Sequence, residues 1–233
     1  MMAVLVPARR DTPEFLDDPS ADRASIAASG DDIAQCNRLF GGTAALLAAL
    51  APHWAALRPS ATLLDVGCGV GDLPAAACAH AAAHGVRLTV LALDRRELLA
   101  ARAAPRVDAA VVADAFALPV RDASVDVVTA CQFLHHFSER EIARLAREMS
   151  RVARRRVVVS DLRRHWVAAA GIWLASWPLR FHAMTRHDGV ASVLKGFVPR
   201  ELATTLARAT GSDVTVSPRH VFRITASWSP RHP

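Results

Sequence analysis

Residues Leu63–Pro74 read LLDVGCGVGDLP. An apolar run reaches Asp65, glycines follow at positions 67, 69 and 71, and Asp72 closes the loop. Glycine adopts backbone conformations closed to other residues and lets a ligand lie against the main chain. A strand that runs through such a loop into a helix is the opening unit of an open α/β sheet. The stretch therefore points to the fold, and the acids around its glycines bear on the ligand.

Two nucleotide readings fit poorly. There is no GxxxxGK[ST], so the phosphate-binding lysine of a P-loop is missing. The dinucleotide pattern GxGxxG is met at Gly67 and Gly69, but its third place holds Asp72. A carboxylate at that helix start opposes a pyrophosphate bound there, and Asp65 adds a second negative charge. Both acids suit a cationic ligand without phosphates. S-adenosylmethionine has that character, with an ammonium, a sulfonium and a carboxylate. Its ribose needs an acid at the end of the next strand. Asp94 closes LTVLALD about 20 residues past the glycines, where the ribose-binding acid of this architecture sits. Asp114, in VVADAFALP, follows the third strand and faces the same crevice, where an adenine amino group needs a polar partner.

Working outward, the sequence alternates. Strands are expected at 62–66, 88–93, 107–112, 125–130 and 156–160, with helices at 72–83, 95–103 and 139–153. Continuous apolar strands separated by helices indicate a parallel sheet covered on both faces. Ser138 and Glu141 form a capping box flanked by Phe137 and Ile142, which fixes the start of the third of these helices. The segment ending in His135-His136 is then the turn after the fourth strand, on the ligand side of the sheet. A helix at 199–209 and two short strands at 214–217 and 220–226 complete the chain. Upstream, 31–57 reads as helix interrupted at Gly41-Gly42, and residues 1–30 are too poorly patterned for anything but a flexible arm.

The bulk numbers bound the function. The chain has 233 residues, 52% of them hydrophobic, which suits one domain with a lid or subdomain. The net charge of +6 comes almost wholly from arginine, since Lys195 is the only lysine, and the arginines are scattered among acids. No basic stripe with interleaved aromatics appears, so nucleic acid is not expected as a partner. Cys36, Cys68, Cys78 and Cys131 lack zinc-ligand spacing and suggest no disulfide framework. Reduced thiols, a cytoplasmic location and no metal site are the expectation. The apolar run at residues 3–6 is too short for a signal peptide.

LDVGCGVG, LALD, ADAFALP and DVVTACQFLHHF, in this order and spacing, resemble the class I S-adenosylmethionine-dependent methyltransferases over residues 60–165. The resemblance implies a doubly wound, Rossmann-like α/β fold. Its mostly parallel sheet has seven strands and an antiparallel last strand. Residues 1–58 would form an N-terminal arm and helical cover, and residues 59–233 the methyltransferase domain with a lid insertion at 162–198. By the same resemblance Asp65, Gly67, Gly69 and Gly71 surround the methionyl part, with Cys68 in the same loop. Asp94, with Arg95 next to it, binds ribose, Asp114 and Ala115 border adenine, and Cys131 and Gln132 face the methionyl part. For Cys68 and Cys131, small buried packing is the simpler role. In the upstream cover, Arg38 is placed to pair with the methionyl carboxylate, beside Asn37 and Gly41-Gly42; an exposed helix with a glycine bend is the plain alternative.

Methyl transfer to a hydroxyl gains from a base near neutrality. His135 and His136 at the mouth, and His187 in TRHDG, are the candidates, against a role in packing alone. Asp188 beside His187 could orient another residue or cap a turn with Gly189. The segment after the fourth strand carries neither the (N/D)PP(Y/F) of nucleobase-amine enzymes nor the paired glutamates of protein-arginine enzymes. That pattern resembles the methyltransferases acting on small molecules in ubiquinone-type and secondary-metabolite biosynthesis. Trp166, Trp173 and Trp177, spaced by 7 and 4, share one helical face. They read first as the lid over an apolar acceptor, next as core, and least as a membrane-surface contact. O-methylation of an aromatic or lipophilic metabolite is the leading expectation, with C-methylation compatible. A macromolecule methyltransferase and a non-catalytic S-adenosylmethionine-binding subunit are the alternatives.

Overall fold

The computed structural model describes residues 6–232. The apolar run at 3–6 therefore lies outside the described residues except for Val6. Three helices precede the sheet: α1 (Arg23–Leu39), α2 (Gly42–Leu50) and α3 (Trp54–Leu57). Gly41, at φ +76, turns the chain between α1 and α2, as the glycine pair suggested. Strands and helices then alternate: β1 (Ser60–Val66), α4 (Asp72–Ala83), β2 (Arg87–Asp94), α5 (Glu97–Ala103), β3 (Ala109–Val112), β4 (Val125–Cys131), α6 (Glu139–Val152) and β5 (Ala153–Leu162). An insertion of two helices follows, α7 (Trp166–Ser176) and α8 (Ala183–Lys195). The chain ends with α9 (Pro199–Thr210), β6 (Thr215–Arg219) and β7 (Arg223–Trp228).

The seven strands lie in the order β3-β2-β1-β4-β5-β7-β6. All pairs from β3 to β5 are parallel, and β7 runs antiparallel to both β5 and β6. Every residue of β4 is buried, which is why its sequence shows no alternation. One apolar layer packs Leu64, Val128, Ile142, Leu145 and Trp228 under α6 and α9. The other packs Leu46, Leu50, Trp54, Leu63 and Ala77 under α2 and α4. The Ser138–Glu141 capping box is formed in both directions and starts α6. The strand order reverses between β1 and β4, and a crevice opens at the carboxyl ends of strands at such a switch point.

Residues 6–30 are not a flexible arm. Arg23–Gly30 belongs to α1, whose first turn is capped by Asp22. Ahead of it, residues 6–22 form a strap across the open end of the sheet. Glu14 on this strap is buried. Phe15 N and Leu16 N donate to the two oxygens of Asp188 at 2.9 and 2.8 Å. Arg9 Nε donates to Lys195 O at 2.8 Å. These partners lie more than 170 residues along the chain, beyond the reach of any local pattern.

Candidate active site

The β1–α4 loop is pinned before it meets any ligand. Gly67 N and Cys68 N both donate to Leu93 O of β2, at 2.8 and 2.9 Å. Asp94 accepts from Gly69 N at 3.0 Å and from Arg96 N at 2.9 Å, so one carboxylate ties two loops together. Burial pushes the Asp94 carboxyl above its ordinary range, although those two N–H donors oppose the shift. Gly69 has φ +54, and a Cβ added there would touch nothing within 4 Å, because the position opens onto the crevice. Only glycine takes that conformation without strain while leaving the backbone bare.

One cavity of about 760 Å³ runs from this loop to the insertion. That volume lies in the upper part of the usual ligand-site range of roughly 300–1,000 Å³. Of the residues expected to hold a cofactor, Gly67, Cys68, Gly69, Asp94, Arg95, Asp114, Ala115, Cys131 and Gln132 line it. Asp65 and Gly71 do not. Asp65 lies behind the loop, accepting from Thr129 Oγ1 at 2.6 Å. Burial drives its carboxyl up to about 7, with Asp72 and Asp94 adding to the rise and Thr129 opposing it. Gly71 packs against Ala103 of α5. Arg38 is exposed and lies off the cavity, because on α1 its neighbour Asn37 takes the inward position. Asn37 Nδ2 donates to Asp72 at 2.9 Å, and Asn37 Oδ1 accepts from Gln132 Nε2. Gln132 itself sits at φ +49, an unusual conformation at the end of β4. Arg95 turns to the strap and pairs with Asp17 at 3.0 Å. Burial raises the thiols of Cys68 and Cys131, which favours packing over chemistry for both.

In the turn Leu134–His136, His135 and His136 line the cavity. His135 Nδ1 lies 2.7 Å from Asp161 Oδ1 at the end of β5, and both side chains are buried. Although burial works upward on Asp161, the His135 imidazole holds its carboxyl below the ordinary value. The outer nitrogen, His135 Nε2, has no hydrogen-bond partner and lies 3.7 Å from Glu14 Oε1, which also has none. Lys195 Nζ, 3.1 Å from that oxygen, supplies Glu14 with its counter-charge. His136 Nδ1 lies 2.6 Å from Asp17 Oδ2. Burial lowers the His136 pKa, but Asp17 and Glu14 outweigh it and the net shift is upward. Glu14, His135 and His136 place three ligand-type atoms within 4.8 Å of one another. The Lys195 ammonium beside Glu14 fills the electrostatic role a cation would take there.

His187 stands apart. It lies outside this cavity, bonded to Asp188 Oδ1 at 2.8 Å and stacked on Phe15 at 4.1 Å. Asp188 caps the turn Phe15–Asp17 of the strap rather than a turn at Gly189. The far wall of the cavity is Val167, Ala168, Gly171 and Ile172 of α7, with Val221 and Phe222 of the β6–β7 turn. The insertion does wall the cavity, but its tryptophans face away from it. Trp166, Trp173 and Trp177 are 39%, 50% and 56% exposed.

Glu14, Asp17, Asp161 and Arg223 also line or support the site, and sequence reasoning named none of them. Asp161 alone had a local signal, a lone acid at the end of the apolar run VVVS.

Residues 64–159 match the family described as methyltransferase domain. Over 110 residues the chain is 38% identical to the 27-O-demethylrifamycin SV methyltransferase of Amycolatopsis mediterranei. That match spans 42% of this chain and 39% of the relative's length. Among solved structures, the plantazolicin methyltransferase, crystallised with a pentazolic desmethyl analogue and S-adenosylhomocysteine, aligns at TM-score 0.65. The alignment covers 94% of this chain and 93% of that one at 12% identity. The magnesium protoporphyrin IX methyltransferase of Synechocystis with bound S-adenosylmethionine aligns at 0.56, covering 85% and 84% at 16% identity. At such identities the structural likeness speaks for the fold, while the sequence match lies on the strands and loops that build the crevice. Residues 64–159 therefore match a methyltransferase domain, set in the Rossmann-like fold that these solved methyltransferases share.

Proposed function

We propose that the chain transfers a methyl group from S-adenosylmethionine to a small lipophilic or aromatic acceptor, with oxygen the favoured acceptor atom. One observation carries this reading. A single cavity is lined both by the acidic glycine loop and by apolar residues of α7, and His135, backed by Asp161, lines it too. The donor set fits the cofactor. Gly69 leaves bare backbone at the crevice, Asp94 and Asp114 offer acceptors for hydroxyl and amino groups, and Asp72 repels phosphate. When bound, the cofactor supplies an electrophilic methyl on a sulfonium.

The chain's own residues align the acceptor, exclude water and handle one proton. In the tautomer that donates Nδ1–H to Asp161, His135 carries its lone pair on Nε2. That nitrogen is buried without a hydrogen-bond partner, 3.7 Å from Glu14 Oε1, which the Lys195 ammonium holds at 3.1 Å. Leaving His135 Nε2 so costs free energy, and an acceptor hydroxyl that donates its one proton to that nitrogen removes the cost. His135 Nε2 then receives the hydroxyl proton as the oxygen attacks, and Asp161 stabilises the imidazolium. The known relatives support a small acceptor: one is named for a rifamycin, another holds a peptide natural product analogue. A methyl-transfer screen with phenolic and polyketide-like acceptors, read by mass shift, tests the proposal. Turnover on a phenol that His135→Ala abolishes is the expected result. No transfer to any such acceptor by chain shown to bind the cofactor would refute it.

A further inference from the structure

Five of the ten exposed large apolar side chains among the described residues come from one short stretch: Trp166, Val167, Trp173, Leu174 and Trp177. They form one stripe along α7, a helix without a single charge. A sixth, Phe15, stacks on His187, which shares a shallow depression with Trp173 and Trp177. A soluble monomer rarely leaves so much contiguous aromatic surface uncovered.

Arginine dominates the charges around the stripe. Residues 163–187 contain four arginines and no acid. Arg164 is buried and paired with Glu201. Arg186 lies over the Trp177 ring at 4.7 Å, Arg10 lies over Trp166 at 5.2 Å, and Arg180 follows the helix at an exposed position. Asp11, an exposed acid, follows Arg10 in the sequence. Tryptophan in a ring of arginine is the composition that settles at a membrane–water boundary and draws anionic headgroups. At 11 residues α7 is too short to cross a bilayer, for which about 20 residues are needed. Among the described residues no single helix is long and apolar enough to do so. A bent pair, Arg23–Leu39 with Gly42–Leu57, meets the length and composition, but its Leu46, Leu50, Trp54 and Leu57 are in the core. Two-fold pairing of this face with a second copy would set arginine against arginine, which disfavours that occupant.

We infer that this face docks on the surface of an anionic lipid bilayer, with α7 lying in the headgroup plane. The opposite side of the same helix walls the cavity, and Val167 is both exposed and part of the cavity lining. A lipophilic acceptor dissolved in the bilayer would then meet the cavity at its rim. This last consequence rests on the proposed reaction, whereas the docking does not.

Co-sedimentation of the full chain with vesicles tests the docking. Vesicles of equal parts phosphatidylcholine and phosphatidylglycerol should bind it, and phosphatidylcholine alone much less. Binding should weaken as salt rises. Tryptophan emission should move to the blue on binding, since Trp54 and Trp228 are already buried and only the exposed rings can respond. The double variant Trp173→Ala with Trp177→Ala should lose about tenfold or more in vesicle affinity. Both positions are exposed, and an unchanged melting temperature would show the variant folded. Absence of vesicle binding, or equal binding by the double variant, overturns the inference. So does a dimer by light scattering that the double variant abolishes, since the face would then be a subunit interface. S-adenosylmethionine affinity and transfer to a water-soluble phenol are measured on the same samples. Their loss in the native chain would count against the reaction and leave the vesicle result standing.

Discussion

Replacing Asp161 by asparagine exchanges one oxygen for an NH2 on a side chain with no solvent exposure. The carboxylate accepts from Leu162 N at 2.7 Å and His135 N at 3.3 Å, and bonds His135 Nδ1 at 2.7 Å. An amide can satisfy only part of this set. With its oxygen toward Nδ1, the NH2 meets the His135 N–H. Turned over, the NH2 meets the Leu162 N–H and drives the imidazole to the tautomer with its proton on Nε2. Either way the negative charge that stabilises a protonated His135 is gone. A charge-assisted hydrogen bond contributes roughly 1.5–3 kcal/mol. At about 1.4 kcal/mol per decade, a loss of 2–2.7 kcal/mol slows the chemical step about thirtyfold to a hundredfold. That is at the low end for general-base catalysis. Initial rates at saturating acceptor should show the fall in kcat. Calorimetry should show cofactor affinity unchanged, because Asp161 is not part of the cavity lining. A thermal melt should fall by roughly 4–8 °C for a loss near 2 kcal/mol. If the variant loses that stability yet keeps full kcat, Asp161 is a structural acid and the base assignment of His135 fails with it.

Three further outcomes are expected. Asp94→Ala removes the acceptor shared by Gly69 N and Arg96 N and should weaken S-adenosylmethionine binding about tenfold or more by calorimetry; unchanged affinity would discard the ribose assignment. Asp188→Asn leaves one acceptor where Phe15 N and Leu16 N now use two, so hydrogen exchange at those amides should speed up while the β4 core stays protected. The His136–Asp17 pair should make the strap pH-dependent. His136 is raised, so its contribution is full below its unfolded pKa of about 6.5 and fades as pH climbs through the higher folded value. Asp17 is lowered, since His136 and Arg95 outweigh its burial, so its contribution is full above about 3.9 and fades as pH falls through the lower folded value. The melting-temperature gap between native chain and Asp17→Asn should therefore be widest between about pH 4 and 6.5 and narrow on the alkaline side; a gap that widens there would contradict the pairing.

Local chemistry made the sheet legible. Leu63–Pro74 carries a strand, a glycine turn and a helix start within twelve residues, and the Ser138–Glu141 box is a contract between neighbours. The acids at strand ends were readable for the same reason, since an aspartate closing an apolar strand has few places to go except the crevice. What escaped depends on distance or on rotation. Glu14 and Asp17 acquire meaning only from Lys195 and His136, more than 115 residues away. Arg38 and Asn37 are adjacent in sequence, and a turn of about 100° along a helix sends one to solvent and the other to the cavity. His187 looked equivalent to His135 and His136 by residue type alone, and packing against Phe15 separates it from them. The tryptophan spacing disclosed a shared face without disclosing that the face looks outward.

The strap gives the site a timetable. Glu14 to Asp17 are synthesised some 173 residues before the Asp188 that holds them. At about 5–20 residues per second, the segment waits roughly 9–35 s for its partner to be made. The β1-to-β5 sheet can assemble in that interval, whereas the closed cavity cannot. Each newly made chain thus passes through a stage in which β1 to β5 have been made and the strap is still unlatched.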